Sequence, residues 1–213
     1  MAEATTRERI LGAADRLFGS HGFRGTSLRA LTREAGVNLA AVHYHFGSKH
    51  ELLVATLSRH IDAINAARIA QLDALEAAHP NGDIPPLDLL NALVRPAFAF
   101  RHASPENAEV VQRLSALLHS EPLEIVHPLM EGLFSRVMQR FAAALERALP
   151  DLEPEEVYLR IQITIGAMVS ALAGRHPPDL ADAPGLDEEE RIDHLVHFLA
   201  AGFSAKPLNG VDS

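Results

Sequence analysis

The side chains best suited to chemistry lie together near residue 40. Residues 39–46 read Leu-Ala-Ala-Val-His-Tyr-His-Phe, and Lys49 follows. Val42 and Phe46 recur at helical spacing and can be buried, which leaves the other side chains of the run on the outside. Small residues at the start of a helix allow close approach to base edges and thymine methyl groups, and the histidine and tyrosine tips can form hydrogen bonds. A lysine in the first turn of the next helix opposes the helix dipole, so an anion such as phosphate would stabilise it.

Two short helices separated by a glycine turn must position these side chains. Leu28, Leu31 and Ala35 lie on one side of the first predicted helix, and Gly36 supplies its left-handed stop. Asn38 is a good N-cap for the second. Residues 27–46 therefore follow the helix-turn-helix plan, in which the second helix enters the major groove. Alternatively, this segment could be a generic helical hairpin whose tyrosine hydroxyl is hydrogen-bonded within the protein, because short helix pairs with glycine turns are common.

Three stretches resemble a known family. Residues 22–28 (GFRGTSL), 35–37 (AGV) and 42–53 (VHYHFGSKHELL) resemble the N-terminal DNA-binding domain of TetR-family transcriptional regulators. The match covers about residues 5–55, and its most specific part is the tyrosine-x-phenylalanine-x-x-lysine run. The resemblance implies a homodimeric repressor with nine helices per subunit, whose last two helices build a four-helix bundle with the partner.

The resemblance also implies roles for individual residues. Tyr44 and Lys49 would contact phosphate, and so would the residues at the start of the second helix, which offers free N–H groups. Arg29 and three residues of the third helix would read bases, and His45 stands where the family commonly has a histidine or another polar residue. The predicted DNA-binding set is Thr26, Ser27, Arg29, Leu39, Ala40, His43, Tyr44, His45 and Lys49.

The remainder of the chain also predicts helices. Capping residues and prolines mark the ends of about nine helical segments, and no stretch alternates as a strand does. We therefore expect an all-α protein with an N-terminal three-helix DNA-binding domain over residues 1–47. Residues 48–213 would form a larger helical domain for ligand binding and dimerisation.

The charge of the chain is unevenly distributed. The formal net charge is −9, which taken alone argues against nucleic acid. The first 50 residues, however, hold seven basic and four acidic side chains, for a charge of +3. The other 163 residues hold 12 basic and 24 acidic side chains, for a charge of −12. This asymmetry predicts that DNA approaches through the N-terminal end, although chance variation of a few charges is the simpler reading.

Composition excludes several classes of protein. The sequence has no cysteine, which removes disulfides, thiolate metal sites and a cysteine nucleophile. The start of the chain lacks the apolar core of a signal peptide. The longest notable uncharged stretch, residues 161–174, is too short to span a bilayer. We expect a cytoplasmic protein with no membrane partner.

Apolar residues of the second half could serve a ligand or a partner subunit. Phenylalanine and methionine adapt to flexible apolar ligands, and an arginine beside them could receive an acidic head group, although such stripes are usually just core. The layout of residues 87–205 is similar to family members that sense fatty acids or acyl-coenzyme A, so a small apolar, acyl-type ligand is expected. The predicted ligand-binding residues are Phe98, Arg101, His102, Leu117, Phe134, Met138 and Met168.

Two apolar stripes predict the homodimer interface. One lies on the eighth predicted helix and the other on the last, and both recur at helical spacing. Alternatively, any single residue of these stripes could belong to the hydrophobic core of one subunit. The predicted interface residues are Ile161, Ile165, Val169, Leu172, Leu195, Phe198 and Leu199.

The sequence offers no catalytic constellation. It has no glycine-rich phosphate loop, serine elbow or Walker motif. Two Glu-x-x-His patterns, Glu76–His79 and Glu124–His127, could belong to a di-iron bundle, but both flank proline-containing helix ends. We therefore predict a regulator with no cofactor and no metal. A metal-dependent helical enzyme and a helical interaction module without DNA binding remain the alternatives.

Overall fold

The prediction of an all-α fold is confirmed. The computed structural model describes residues 5–120, 122–173 and 186–207, without the side chains of residues 116–120 and 123. This part of the chain forms nine helices and no strand. They are α1 (Thr6–Gly25), α2 (Leu28–Ala35), α3 (Leu39–Phe46), α4 (Lys49–Ala78), α5 (Pro86–Ala103), α6 (Pro105–Ser120), α7 (Leu123–Ala148), α8 (Pro154–Leu172) and α9 (Glu188–Phe203).

Local capping explains where several of these helices begin. Thr5 and Glu8 form a capping box at α1, and Asp187 and Glu190 form one at α9. In each pair the side chains satisfy backbone N–H groups that have no partner within the helix. α1 continues to Gly25 across a kink at Gly22. The φ of Gly22 is 69°, a conformation that favours glycine.

The chain divides into two compact units. The first comprises Met1–Ala63 and Gln112–Ser135. Its apolar core joins α1, α2 and α3 to Leu52, Leu53 and Leu57 of α4 and to Leu129 and Leu133 of α7. This unit therefore extends beyond the predicted domain limit at residue 47. The longer core gives the first three helices more buried surface than they could supply alone.

The second unit comprises Ile64–Val111 and Arg136–Ser213. Within it α5 packs against α8 and α9, and α8 packs against α9. Arg95 and Arg101 of α5 form ion pairs with acidic side chains at the start of α9. No helix in the described ranges is long and apolar enough to cross a membrane.

The apolar residues of α8 and α9 divide between two faces. Ile161, Leu172 and Leu199 are buried within the second unit, and Ile165, Val169 and Leu195 are half-buried. Phe198 differs from the other predicted interface residues in the described structure, because 76% of its surface is exposed. Leu159 and Ile163 are also exposed, and they lie on the side of α8 opposite the predicted stripe. An interface formed by exposed residues would therefore use this other side.

The turn between α2 and α3 depends on the conformation of Gly36. Its φ of 64° and ψ of 39° lie in the left-handed region, which costs a residue with a Cβ about 1–2 kcal/mol. Gly36→Ala should lower the free energy of unfolding by about 1 kcal/mol. The same substitution at Gly12, inside α1, should raise it by about 0.5–1 kcal/mol, because alanine favours helix there. Urea denaturation of both variants checks this, and a shift of the same sign for both would contradict it.

Candidate nucleic-acid interface

The inner face of α3 anchors it to the first unit. Val42 and Phe46 are buried with Leu31 and Ala35 of α2. Asn38 Oδ1 accepts a hydrogen bond of 2.9 Å from the Ala41 N–H, which satisfies a free donor at the helix start. The sequence pattern predicted this division into inner and outer faces.

The outer face of α3 exposes unusually apolar side chains. Leu39 is 45% exposed and Tyr44 is 86% exposed, and Ala40 and His43 are exposed as well. The positions 39, 40, 43 and 44 share one side of a helix. The exposed parts of both large side chains remain in contact with solvent, so a partner that covers this face would add buried surface.

His43 has a fixed hydrogen-bonding pattern. Its Nδ1 lies 2.7 Å from the Gly47 carbonyl oxygen, and a carbonyl oxygen can only accept, so Nδ1 carries a proton. In the neutral ring Nε2 is then a hydrogen-bond acceptor. An acceptor at this position matches the amino groups of adenine and cytosine in the major groove.

The side chains at the edges of this face differ in their exposure and in the hydrogen-bond donors that they present. Arg29 and Ser27 are exposed on or next to α2. Ser27 Oγ accepts from the Ala30 N–H at 3.1 Å, and its own hydroxyl proton can still be donated. Lys49 Nζ lies 4.3 Å from the centre of the Phe23 ring, a cation–π contact that orients the ammonium. The half-buried His45 ring meets the Tyr44 ring edge-on, with centres 5.1 Å apart.

Thr26 is buried, unlike the other residues of the predicted DNA-binding set. It is 2% exposed, and its hydroxyl donates towards the carbonyl oxygens of Leu17 and Gly22 at 3.0 and 2.8 Å. Its backbone N–H donates to Phe23. These bonds hold the end of α1 in place and leave Thr26 without a donor for phosphate.

Asp15 links α1 to α4 and α6 within the first unit. His60 Nε2 lies 3.7 Å from Asp15 Oδ1, and Arg113 Nη1 lies 3.4 Å from the same atom. The neighbouring His60, then the positive charge of Arg113, hold the pKa of Asp15 below its usual 3.8, although partial burial opposes this. A lowered pKa in the folded state means that the carboxylate stabilises the fold above pH 3.8. That contribution is lost as the pH falls through the lowered value.

Asp15→Asn should therefore lower the melting temperature at pH 7, by a few degrees at most because the pair is partly exposed. The difference from the unmodified protein should shrink as the pH falls below 3.8. Thermal unfolding between pH 2.5 and 7 measures it. Asp62→Asn is the matched control, since Asp62 is exposed on α4 without an ion pair among the described residues. An Asp15→Asn difference that persists unchanged at pH 2.5 would refute the electrostatic origin.

The predicted ligand residues are divided between the units. Phe98 and Arg101 line a cleft of about 310 Å³ in the second unit, together with Ala171, Glu188, Arg191, Ile192 and Leu195. His102 Nε2 lies 2.8 Å from Glu188 Oε1. The same carboxylate oxygen forms an ion pair with Arg101. Met168 is buried, Met138 is half-buried, and Phe134 packs against the core of the first unit. Leu117 lies outside the residues whose side chains are described.

Two residues of the second unit were missed by the sequence analysis. Arg68 is 2% exposed and Thr164 is 1% exposed, so both are polar groups in an apolar core. Arg68 could have been found, because it falls on the stripe of Ile61, Ile64 and Leu72. No group of histidine and acidic side chains in the described structure could hold a metal ion.

Comparisons with known proteins agree with this geometry. The family model described as "Bacterial regulatory proteins, tetR family" matches residues 10–56. A second model, "Tetracyclin repressor-like, C-terminal domain", matches residues 91–202, more than half of the chain.

Relatives with similar sequences are named as transcriptional regulators. The chain is 29% identical to the transcriptional regulator BetI of Agrobacterium fabrum over 96% of this chain and 95% of that protein. It is 29% identical to the transcriptional repressor AcnR of Corynebacterium diphtheriae over 71% of this chain and 90% of that protein. A structure of the fatty acid degradation regulator FadR from Bacillus halodurans shares the fold, with a TM-score of 0.57, 14% identity, and coverage of 97% and 100%.

Proposed function

Because the chain belongs to the TetR family of DNA-binding transcriptional regulators, which are not enzymes, we propose that it is a repressor that binds a palindromic operator as a homodimer. The observation that carries this proposal is the outer face of α3, where Leu39 and Tyr44 are exposed beside His43. The major groove of DNA admits a helix of this size. The name of the Corynebacterium relative supports repression rather than activation.

The proposed contacts follow from what each side chain can offer. Leu39 and Ala40 lie against thymine methyl groups, and His43 Nε2 accepts from the amino group of adenine or cytosine. Tyr44, Lys49, Ser27 and the N–H groups at the start of α2 bind phosphates, and Arg29 reaches the groove from α2. His45 is half-buried and supports the Tyr44 ring. Thr26 does not contact phosphate in this proposal, because its hydroxyl already donates to carbonyl oxygens of its own subunit.

The proposed dimer interface uses the exposed sides of α8 and α9. Leu159, Ile163 and Phe198 supply its apolar surface. Gly166 and Ser170 continue the α8 stripe at helical spacing, and a Cβ at Gly166 would meet no described atom within 4 Å. Small exposed residues let a partner helix approach closely. Two subunits related by a two-fold axis would present two copies of α3 to half-sites one helical turn apart.

The proposed effector is a small apolar ligand such as an acyl compound. Its binding lowers the affinity of the dimer for the operator and so relieves repression. A ligand can do this only through a difference in its affinity for the free and DNA-bound protein. By linkage, saturating operator must weaken ligand binding by the same factor.

Selection of genomic fragments by the purified protein tests the proposal. The expected result is a palindromic footprint with half-site centres about 34–36 Å apart. The affinity should fall steeply between 50 and 200 mM salt, because bound phosphates release counterions. Failure to retain any fragment, or an affinity independent of salt, would refute the DNA-binding role.

A further inference from the structure

Arg68 places a cation inside the core of the second unit. It lies on α4 between the buried Ile64 and Leu72. Its Nε donates to the Leu93 carbonyl oxygen at 2.8 Å, and Nη1 donates to Asn65 Oδ1 at 3.2 Å. Nη2 faces Met168 Sδ at 3.6 Å. The guanidinium therefore meets α5 through a carbonyl group and α8 through a thioether.

This environment is unfavourable for a charge. Burial lowers the pKa of Arg68 from its usual 12.5 to about 10, because the surrounding core solvates the guanidinium poorly. A thioether sulfur is a weak hydrogen-bond acceptor. A carboxylate oxygen in its place would form a charge-assisted hydrogen bond roughly twice as strong as a neutral one.

Thr164 adds an unused polar group to the same side of α8. It precedes Met168 by four residues, so the two side chains lie one above the other on the helix. Thr164 Oγ1 is buried and has no hydrogen-bond partner among the described residues. A buried hydroxyl without a partner is destabilising, and such groups are rare in native cores. An oxygen-bearing ligand beside Met168 could accept this hydrogen.

We propose that Arg68 and Thr164 bind the carboxylate of a small apolar acid in the core of the second unit. The assignment rests on the proposed function, since it identifies the effector as a monocarboxylate with an aliphatic body. Met168 occupies the position of the carboxylate in the free protein. Its unbranched side chain can rotate away and then pack against the aliphatic body.

The cleft described above offers the aliphatic body a place in the same unit. Ala171 lines the cleft and follows Met168 by three residues of α8, about 4.5 Å along the helix axis. Phe98, Ile192 and Leu195 supply the apolar part of the cleft lining, and Arg101, Glu188 and Arg191 supply the charged part. Its volume of about 310 Å³ lies at the small end of ligand sites, which favours a short or medium-length chain.

Binding of octanoate and octan-1-ol to the full-length protein tests the proposal. Both probes have the same chain length, and isothermal calorimetry without DNA measures each affinity. We expect octanoate to bind at least tenfold more tightly than the alcohol. In Arg68→Met the preference should disappear, because the variant keeps the volume and removes the charge. Equal binding of both probes, or no binding of octanoate, would overturn the proposal.

Thr164→Val separates a ligand-binding role from a structural one. Valine has nearly the same shape and removes a hydroxyl that has no partner, so we expect a higher melting temperature. Octanoate binding should nevertheless weaken about tenfold. Thr56→Val is the matched control, because Thr56 is equally buried and its hydroxyl already donates to Leu52 at 2.7 Å. Thr56→Val should not change octanoate binding.

The outcomes distinguish this proposal from the proposed function. Unchanged octanoate binding in Thr164→Val would overturn the assignment of the site even if the protein binds its operator normally. Octanoate binding that depends on both side chains, in a protein that retains no genomic fragment, would refute the DNA-binding role and leave the carboxylate site standing. Arg68→Met is informative only when folded, whereas Thr164→Val should be more stable than the unmodified protein.

Discussion

Replacing Tyr44 with phenylalanine should weaken operator binding about a hundredfold. The ring is 86% exposed, so the fold gains little from the hydroxyl. A hydrogen bond from this hydroxyl to a phosphate contributes about 1.5 kcal/mol. The proposed two-fold symmetric dimer makes the contact twice, so the loss is about 3 kcal/mol, and each 1.4 kcal/mol is tenfold in affinity. Fluorescence anisotropy with a labelled operator measures the change.

The other tyrosine of the chain provides the matched control. Tyr158 is also exposed, on α8, and Tyr158→Phe removes the same hydroxyl far along the sequence from α3. We expect its operator affinity to equal that of the unmodified protein. The loss in Tyr44→Phe should be the same for operators with altered bases, because a phosphate contact carries no sequence information. Equal affinities for Tyr44→Phe and the unmodified protein would exclude a role for this hydroxyl.

Local signals in the sequence were sufficient for the helices and for the outer face of α3. Asn38 caps α3 as predicted, and Ser27 caps α2. Gly36 ends α2 in the left-handed conformation that its position requires. These features depend on residues three or four positions apart, which the sequence displays directly. The identity of Tyr44 as an exposed side chain follows from the same periodicity.

Features that depend on distant residues could not be predicted. The sequence places Thr26 at a helix start, but its burial depends on how the end of α1 folds back after Gly22. On α8, apolar residues occupy two sides, and periodicity does not tell which side faces α5 and α9. The missing partner of Thr164 likewise depends on what surrounds α8 in the folded chain.

The structure gives the charge asymmetry a physical basis. In the second unit, basic side chains pair with acids of the same unit, such as Arg140 with Asp73 and Glu76. Arg29, beside the proposed DNA-binding face, has no ion pair within the described ranges. Cations that are already paired attract phosphate weakly. The basic residues near α3 should therefore dominate the attraction to DNA despite the net charge of −9.

Replacing Phe198 with glutamate should convert the proposed dimer to a monomer. The ring is 76% exposed in the single subunit, so the substitution should barely change its folding. At a two-fold axis the change introduces two carboxylates and removes two aromatic anchors, each of which typically contributes 2 kcal/mol or more. The dimer dissociation constant should rise at least a thousandfold. Sedimentation equilibrium measures the constant directly.

Loss of the dimer should in turn weaken operator binding, because one subunit covers a single half-site. We expect the affinity of Phe198→Glu for the full palindrome to fall to its affinity for an isolated half-site. Gln71→Glu adds the same charge at an exposed position of α4 and should preserve both the dimer and operator binding. A Phe198→Glu protein that remains dimeric at micromolar concentration would place the interface elsewhere. Leu159 and Ile163 would then be exposed apolar residues without a role in dimerisation.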